Sequence, residues 1–233
     1  AFLVVSLSIW IAQTQTLIVS YGLIAAGIAV ALQDFFKNIV GGITLFLTGI
    51  YRVGDRIEIN ENLGDVIDIG IMYTTLMETG QWIGGDQATG RLINIPNGQV
   101  LSRNVENYTK DNSFIWDEVT VPIKYGSDWR KAMEIISETA NSETGQVAEQ
   151  AEEVLSRMGD KYYTSQREVF PAVYLTLTDN WMNFSVRYVT DAKERRETSN
   201  AISRKILERI DDTEEVEIAS ETLDIIGFPD AGK

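Results

Sequence analysis

The chain has 233 residues, no cysteine and no histidine, and a formal net charge of −14. That length can bury one or two cores, while the missing residue types exclude disulfide scaffolds, thiolate chemistry and histidine-based catalysis or metal binding. The acidic balance repels nucleic-acid phosphates, whose recognition rests on Lys and Arg, so no nucleic-acid partner is expected.

The charge is unevenly placed. Residues 1–33 carry no charged side chain, Asp34 and Lys37 balance each other, and all of the net charge lies beyond them. An ionised group at the bilayer centre costs roughly 2.5 to 3.5 kcal/mol on insertion scales, so a run this long without charge reads as membrane-embedded. Within it, residues 1–12 are apolar, "QTQT" (Gln13 to Thr16) forms a polar break, and a second apolar segment follows from Leu17 to Gln33. Residues 1–12 are expected to be the end of a preceding transmembrane helix; a signal peptide would need a basic stretch before the apolar one. As a helix, Thr16 to Gln33 would be about 27 Å long, enough to cross the hydrocarbon core.

Small residues dominate that second segment. On a helical wheel Gly22, Ala25, Ala26, Ala29 and Gln33 share one arc, Gly27 and Ala31 lie on the far side, and Val19, Leu23, Ala26 and Val30 lie between. Lipid tails give membrane helices no hydrophobic drive to associate, so close backbone approach over small residues holds them together. Two small-residue flanks fit a ring of identical helices, with the strip between them facing an axis as an apolar lining that closes a pore by dewetting. Small faces also occur in any membrane bundle. After Gln33 the pattern becomes amphipathic. Phe35, Phe36, Ile39, Val40, Ile43, Phe46, Leu47 and Ile50 cluster on one arc, opposite Lys37, Asn38, Gly41, Thr44 and Thr48. Asp34, at the junction, either caps the second helix or is a solvated interfacial carboxylate. Gly41 and Gly42 leave room for a close neighbour. Lys37 lies just past the pore helix, as a basic ring at its mouth or as an interfacial lysine reaching lipid phosphate.

From Tyr51 the character is that of a water-exposed fold. "VGDRIEI", "GDVIDIGIMYTTLMET" and "GRLINIPNGQVLSRNVENYT" alternate as strands, with turns at Glu61 to Gly64 and at Pro96 to Gly98, and a small five-stranded barrel over 51–110 is expected. Residues 111–215 read as an α+β domain. Its expected elements are a strand at Ile115 to Ile123, helices near Ser127 to Ala140 and Glu143 to Met158, strands at Ala172 to Thr178 and Met182 to Thr190, and a helix from Lys193 to Ile210. A last strand is expected over 216–226 within a C-terminal segment, 216–233. The acidic runs "AEQAEE" and "DDTEE" read as solvated helix faces rather than catalytic pairs, and no enzyme activity is expected.

"GIAVALQDFFKNIVGGITLFLTGIYRVGDRIEI" followed by "GRLINIPNGQVLSRNVENYT" resembles the small-conductance mechanosensitive channel (MscS) family over roughly Thr16 to Ile226. The family pattern is a Gly/Ala-rich pore helix ending in A-L-Q, an amphipathic helix with S-N-x-x-x-G, then V-G-D and I-P-N-G. The resemblance implies a kinked pore-lining segment over 16–50, a cytoplasmic Sm-like β barrel and a ferredoxin-like α+β domain. It also implies a homoheptamer in the cell membrane that contacts lipids and opens under bilayer tension to release ions and small osmolytes, with no cofactor. The two pore-sealing positions fall on Ala26 and Val30. Because Ala26 stands where the best-known pattern has leucine, Leu23 one turn earlier joins the expected constriction. Gly27 matches a small position that packs against Gly22, Ala25 and Ala29 of the partner subunit. Asn38 and Gly42 match S-N-x-x-x-G, and Gln33, Asp34, Asn38, Gly41 and Gly42 form the expected kink. Asp34 stands where the family often has a kink glycine, and the loop Thr79 to Gly90 is longer than a short turn. A ligand- or voltage-modulated channel, or a non-conducting membrane scaffold, would share these motifs.

Overall fold

The computed structural model describes residues 2–80, 85–162 and 168–220, which divide into two compact units. The first comprises residues 1–78 and 90–106; the second comprises 79–89 and the chain from 107 onward.

In the first unit, helix α1 spans Phe2–Ala31 and α2 spans Gln33–Thr48. The backbone of α1 runs through the expected break at Gln13 to Thr16: polar Gln and Thr cost a helix little, and neither Gly nor Pro stands there to end it. The bend comes later. Taking Leu17–Ala31 against α2, the axes turn by 51° at Leu32, although Leu32 N still donates to Ile28 O and Phe36 N to Leu32 O. Gly49 closes α2 in the left-handed conformation (φ 58°), its N–H donating to Leu45 O, as a C-terminal glycine does without a Cβ penalty.

Five strands follow: β1 Arg56–Ile59, β2 Asn62–Ile69, β3 Tyr73–Thr79, β4 Ala88–Pro96 and β5 Glu106–Asn107, in the order β4-β3-β2-β1-β5. The first turn lies earlier than Glu61 to Gly64. Asn60 and Glu61 both have positive φ (51° and 66°) in a two-residue connection flanked by the pair Ile59↔Asn62, the geometry whose twist matches that of the strands. Gly64 instead sits inside β2, where a Cβ would come within 2.6 Å of Met77 O. The turn expected at Pro96 to Gly98 is the start of a 3-10 helix, Asn97–Leu101. Arg56 and Asp65 face each other across β1 and β2 in a two-pronged ion pair (2.9 and 3.0 Å), which gives a nearly buried guanidinium a matching carboxylate. The core of this unit joins Leu45 of α2 to Tyr51, Ile57, Ile59, Val66, Leu76 and Ile95.

The second unit holds β6 (Phe114–Lys124), α3 (Trp129–Tyr162), β7 (Ala172–Leu177), β8 (Trp181–Asp191) and α4 (Arg195–Asp211). Its antiparallel sheet runs β6-β8-β7, and the outer edge of β6 is met by residues 215–219 through the bridge Ile123↔Ile218 and the bonds Lys124 N to Glu217 O and Ala219 N to Pro122 O. The rest of the expected C-terminal strand and tail, from 221, lies outside the described residues. Two expected helices are one. The polar run around Asn141 and Ser142 contains no proline, and Ala140, Thr144, Ala148 and Ala151 carry the buried stripe across it at helical spacing, so α3 continues. Ile202, Ile206 and Ile210 of α4 and Ile135, Ile136 and Ala140 of α3 pack on Val119, Val121, Ile123, Phe184, Val186 and Tyr188.

Candidate functional site

Helix α2 is docked by the side that sequence marks as its poorer one. Asn38, Gly41, Gly42 and Leu45 recur at helical spacing, and Gly41 and Leu45 are buried, whereas Phe35, Phe36, Val40, Ile43, Phe46 and Leu47 of the apolar arc are exposed, Phe46 to 90%. An amphipathic helix of a water-soluble fold does the reverse, burying its apolar stripe. The exposed arc borders a cleft of about 650 Å³ to which Ile43, Phe46, Leu47, Val53 and Ile71 contribute.

The glycines explain the docking. A Cβ on Gly41 would lie 2.2 Å from Asn97 O, and one on Gly42 would lie 2.1 Å from Ile71 O, so only glycine lets the helix approach these backbones. Asn38 Oδ1 accepts the Gly98 N–H at 2.9 Å, and Lys37 Nζ donates to Ser102 Oγ at 3.2 Å. The two motifs that stand out in sequence, N-x-x-G-G and I-P-N-G, are therefore one contact in space.

Beneath that contact Asn97 is a buried hub. Its Nδ2 donates to Gly70 O (2.8 Å) and Ile71 O (3.1 Å), its Oδ1 accepts from Thr74 Oγ1 (2.8 Å), and its own N–H donates to Met72 O (2.8 Å). Thr74 also bonds the Tyr51 hydroxyl at 2.9 Å, and burial pushes that phenol above its ordinary range. Each buried polar atom of Asn97 is thus satisfied, which ties the 3-10 helix to the β2–β3 connection. Replacing Asn38 by alanine would leave the Gly98 N–H without its acceptor and is expected to cost about 1 kcal/mol. Hydrogen exchange at Gly98 checks this, since an amide protected equally in both proteins would mean the bond is not made.

Helix α1 presents the opposite situation. From Leu17 to Ala31 every residue is exposed, Leu23 to 76% and Val30 to 72%, and among the described residues nothing beyond the adjoining helix backbone lies within 4 Å of a Cβ placed on Gly22 or Gly27. Among the described residues no single helix is long and apolar enough to cross a membrane, but Leu17–Ala31 and α2 pass that test together as a bent pair.

A family profile described as "Mechanosensitive ion channel, beta-domain" matches residues 34–110, the stretch that carries α2, its docking contact and the five-stranded sheet. Residues 34–110 are an MscS-family beta-domain. An uncharacterised MscS family protein of Buchnera aphidicola is 27% identical over 131 residues, covering 56% of this chain and 43% of that protein. The small-conductance mechanosensitive channel of Helicobacter pylori is 30% identical over 127 residues, covering 54% of this chain and 42% of the relative. The chain spans less than half the length of either. In fold it is similar to the closed-state crystal structure of Helicobacter pylori MscS, with a TM-score of 0.66 and 23% identity over 93% of this chain and 75% of that one. Arabidopsis thaliana MSL1 is similar at a TM-score of 0.63 and 16% identity, covering 89% of this chain and 66% of the plant protein.

In this chain the expected kink residues separate into two groups. Gln33 and Asp34 follow the bend at Leu32, but Asn38, Gly41 and Gly42 lie inside an unbroken α2 and serve docking. Helix α2 packs on the 3-10 helix and the β2–β3 connection, and no breaker residue stands at the turn itself. No side-chain bond caps α2, so Asp34 is not its cap; the exposed carboxylate stands in the first turn, where the helix dipole favours it. Lys37 reaches Ser102. Sequence reading missed Asn97 as a hub, taking it only as a turn residue, because the partners of its amide come from the β2–β3 connection and β3. It also left the long loop Thr79 to Gly90 without a role. The described part of that loop is anchored within the second unit: Arg195 bridges Asp86 (2.9 Å) and Asp117 (3.2 Å), and Arg196 donates to Gln87 (2.9 Å). Burial, and then the neighbouring Asp117 charge, hold the Tyr188 phenol well above its ordinary value.

Proposed function

We propose that the chain is the pore-lining and vestibule-forming part of a membrane channel opened by bilayer tension, which releases ions and small osmolytes on hypo-osmotic shock. The observation that carries this is the exposure of an uncharged helix on every side, continued by a second helix that docks through its small and polar face and leaves its apolar arc uncovered. Water would charge such a surface roughly 25 cal/mol per Å² of apolar area, a cost that lipid and identical neighbouring helices remove. On this reading the protein assembles as a homoheptamer in the cell membrane, Leu23, Ala26 and Val30 line the constriction, and Gly22, Ala25, Gly27 and Ala29 pack between subunits. The β unit is an Sm-like barrel. The order β6-β8-β7, with residues 215–219 outside β6, supports a ferredoxin-like second unit, and both units lie in the cytoplasm. Recordings from excised patches holding the full-length protein test it: stepwise currents under suction with no added ligand are expected, and currents that need a ligand or a voltage change would overturn tension gating.

The same experiment reads selectivity. All of the net negative charge lies beyond Lys37, and in a sevenfold vestibule it would enrich cations within about a Debye length, roughly 8 Å at physiological salt, of the portals and inner walls. Lys37, whose ammonium donates to Ser102 Oγ, opposes this with one positive charge per chain. The open channel is expected to be weakly cation-preferring or nearly unselective. Reversal potentials in a salt gradient decide the matter, and a clear anion preference persisting at low salt would refute it.

A further inference from the structure

The sheet of the second unit has one face on the α3 and α4 core and another that is only partly covered. Alternation along the strands puts Val119, Val121, Phe184 and Val186 on the first face and Trp116, Arg187, Ala172 and Tyr174 on the second. Residues 168–170 wall that second face: Val169 is buried with Ala151 and Val189, and Trp116 Nε1 donates to the Glu168 carbonyl at 3.2 Å. Between wall and sheet lies a pocket of about 290 Å³ lined by Trp116, Glu168, Phe170, Ala172, Tyr174 and Arg187.

Its charges are arranged unusually. The Arg187 guanidinium lies over the Trp116 ring, 5.6 Å from its centre; Glu118 stands opposite it across β6 and β8, but among the described residues no carboxylate comes within ion-pair distance of it. The Glu168 side chain likewise has no cationic partner among the described residues. Opposite charges that line one pocket without neutralising each other suit a ligand that carries both, and aromatic walls suit an alkylated ammonium, whose charge is spread over its methyl groups. The volume, at the low end for ligand pockets, suits a molecule of few heavy atoms.

We propose that this pocket binds a small zwitterion, its carboxylate on the Arg187 guanidinium and its alkylated ammonium toward Glu168 and the rings of Phe170 and Tyr174. The site stands on the geometry of the second unit alone and is independent of the channel reading. Saturation-transfer NMR on the full chain in an uncharged detergent, with glycine betaine as the probe, tests it. Transfer to the N-methyl protons is expected. Arg187→Gln, at an exposed position that leaves the core untouched, should weaken binding by about tenfold, the ordinary loss for a charge-assisted bond. Tetramethylammonium and acetate, each offering one half of the ligand, should bind at least about tenfold more weakly than betaine. The absence of transfer to betaine would overturn the proposal. So would tetramethylammonium binding as well as betaine, or a folded Arg187→Gln protein that binds betaine unchanged.

Discussion

Replacing Val30 by aspartate is expected to open the channel at little or no bilayer tension and to impair growth on osmotic downshift. Val30 is among the more exposed residues of α1, at 72%. In a ring of helices its neighbours at the axis would be its own copies. An apolar constriction closes by excluding water, and a ring of carboxylates hydrates it and adds mutual repulsion that widening relieves. Because the position lies outside the buried cores of both units, the substitution should leave those cores folded, which separates a gating effect from misfolding. Patch recordings measure the opening tension. A mutant that gates at wild-type tension would show that Val30 does not face the axis and that the register of the pore strip is wrong.

Gly41→Val is expected to detach α2 from the β unit. The new Cβ would meet the Asn97 carbonyl at 2.2 Å, and that carbonyl belongs to backbone held in place by the Asn97 side chain, so neither party can swing away. Overpacking in a well-packed site costs roughly 1–3 kcal/mol, and a collision with fixed backbone belongs at or above the top of that range. Thermal unfolding and hydrogen exchange over residues 97–101 should both report the loss, and unchanged protection there would show that the contact is not made. Gly27→Val is the informative control. Among the described residues nothing beyond the adjoining helix backbone stands near its Cβ, so the fold should be unaffected, while the opening threshold rises or assembly fails as neighbouring helices lose their smooth faces. Normal gating with normal oligomer yield in that variant would count against the ring.

These two glycine substitutions mark where sequence reading reaches and where it stops. Gly27 and Gly41 are both small residues on a helix, Gly41 on the polar arc of α2, yet one leaves open space and the other is pressed against a carbonyl. Local pattern determines a good deal here: the uncharged run, the small-residue faces of α1, the amphipathic period of α2, and the alternation that makes strands all follow from side-chain periodicity, which neighbours in sequence decide. The motif pair that carries the family resemblance is equally legible. Periodicity cannot say which arc of an amphipathic helix meets protein, because that depends on what else is available to cover it. Here the small arc of α2 docks and its apolar arc is left uncovered. The bend at Leu32 falls beside the expected kink residues Gln33 and Asp34, where the pattern changes, although no glycine or proline marks it. The Asn97 hub depends on carbonyls of the β2–β3 connection more than twenty positions earlier, and the anchoring of Asp86 and Gln87 on an arginine pair far along the chain. Contacts of that separation carry no periodic trace in the sequence, so only the tertiary structure decided them: each forms because folding brings a donor to a buried acceptor that water no longer reaches.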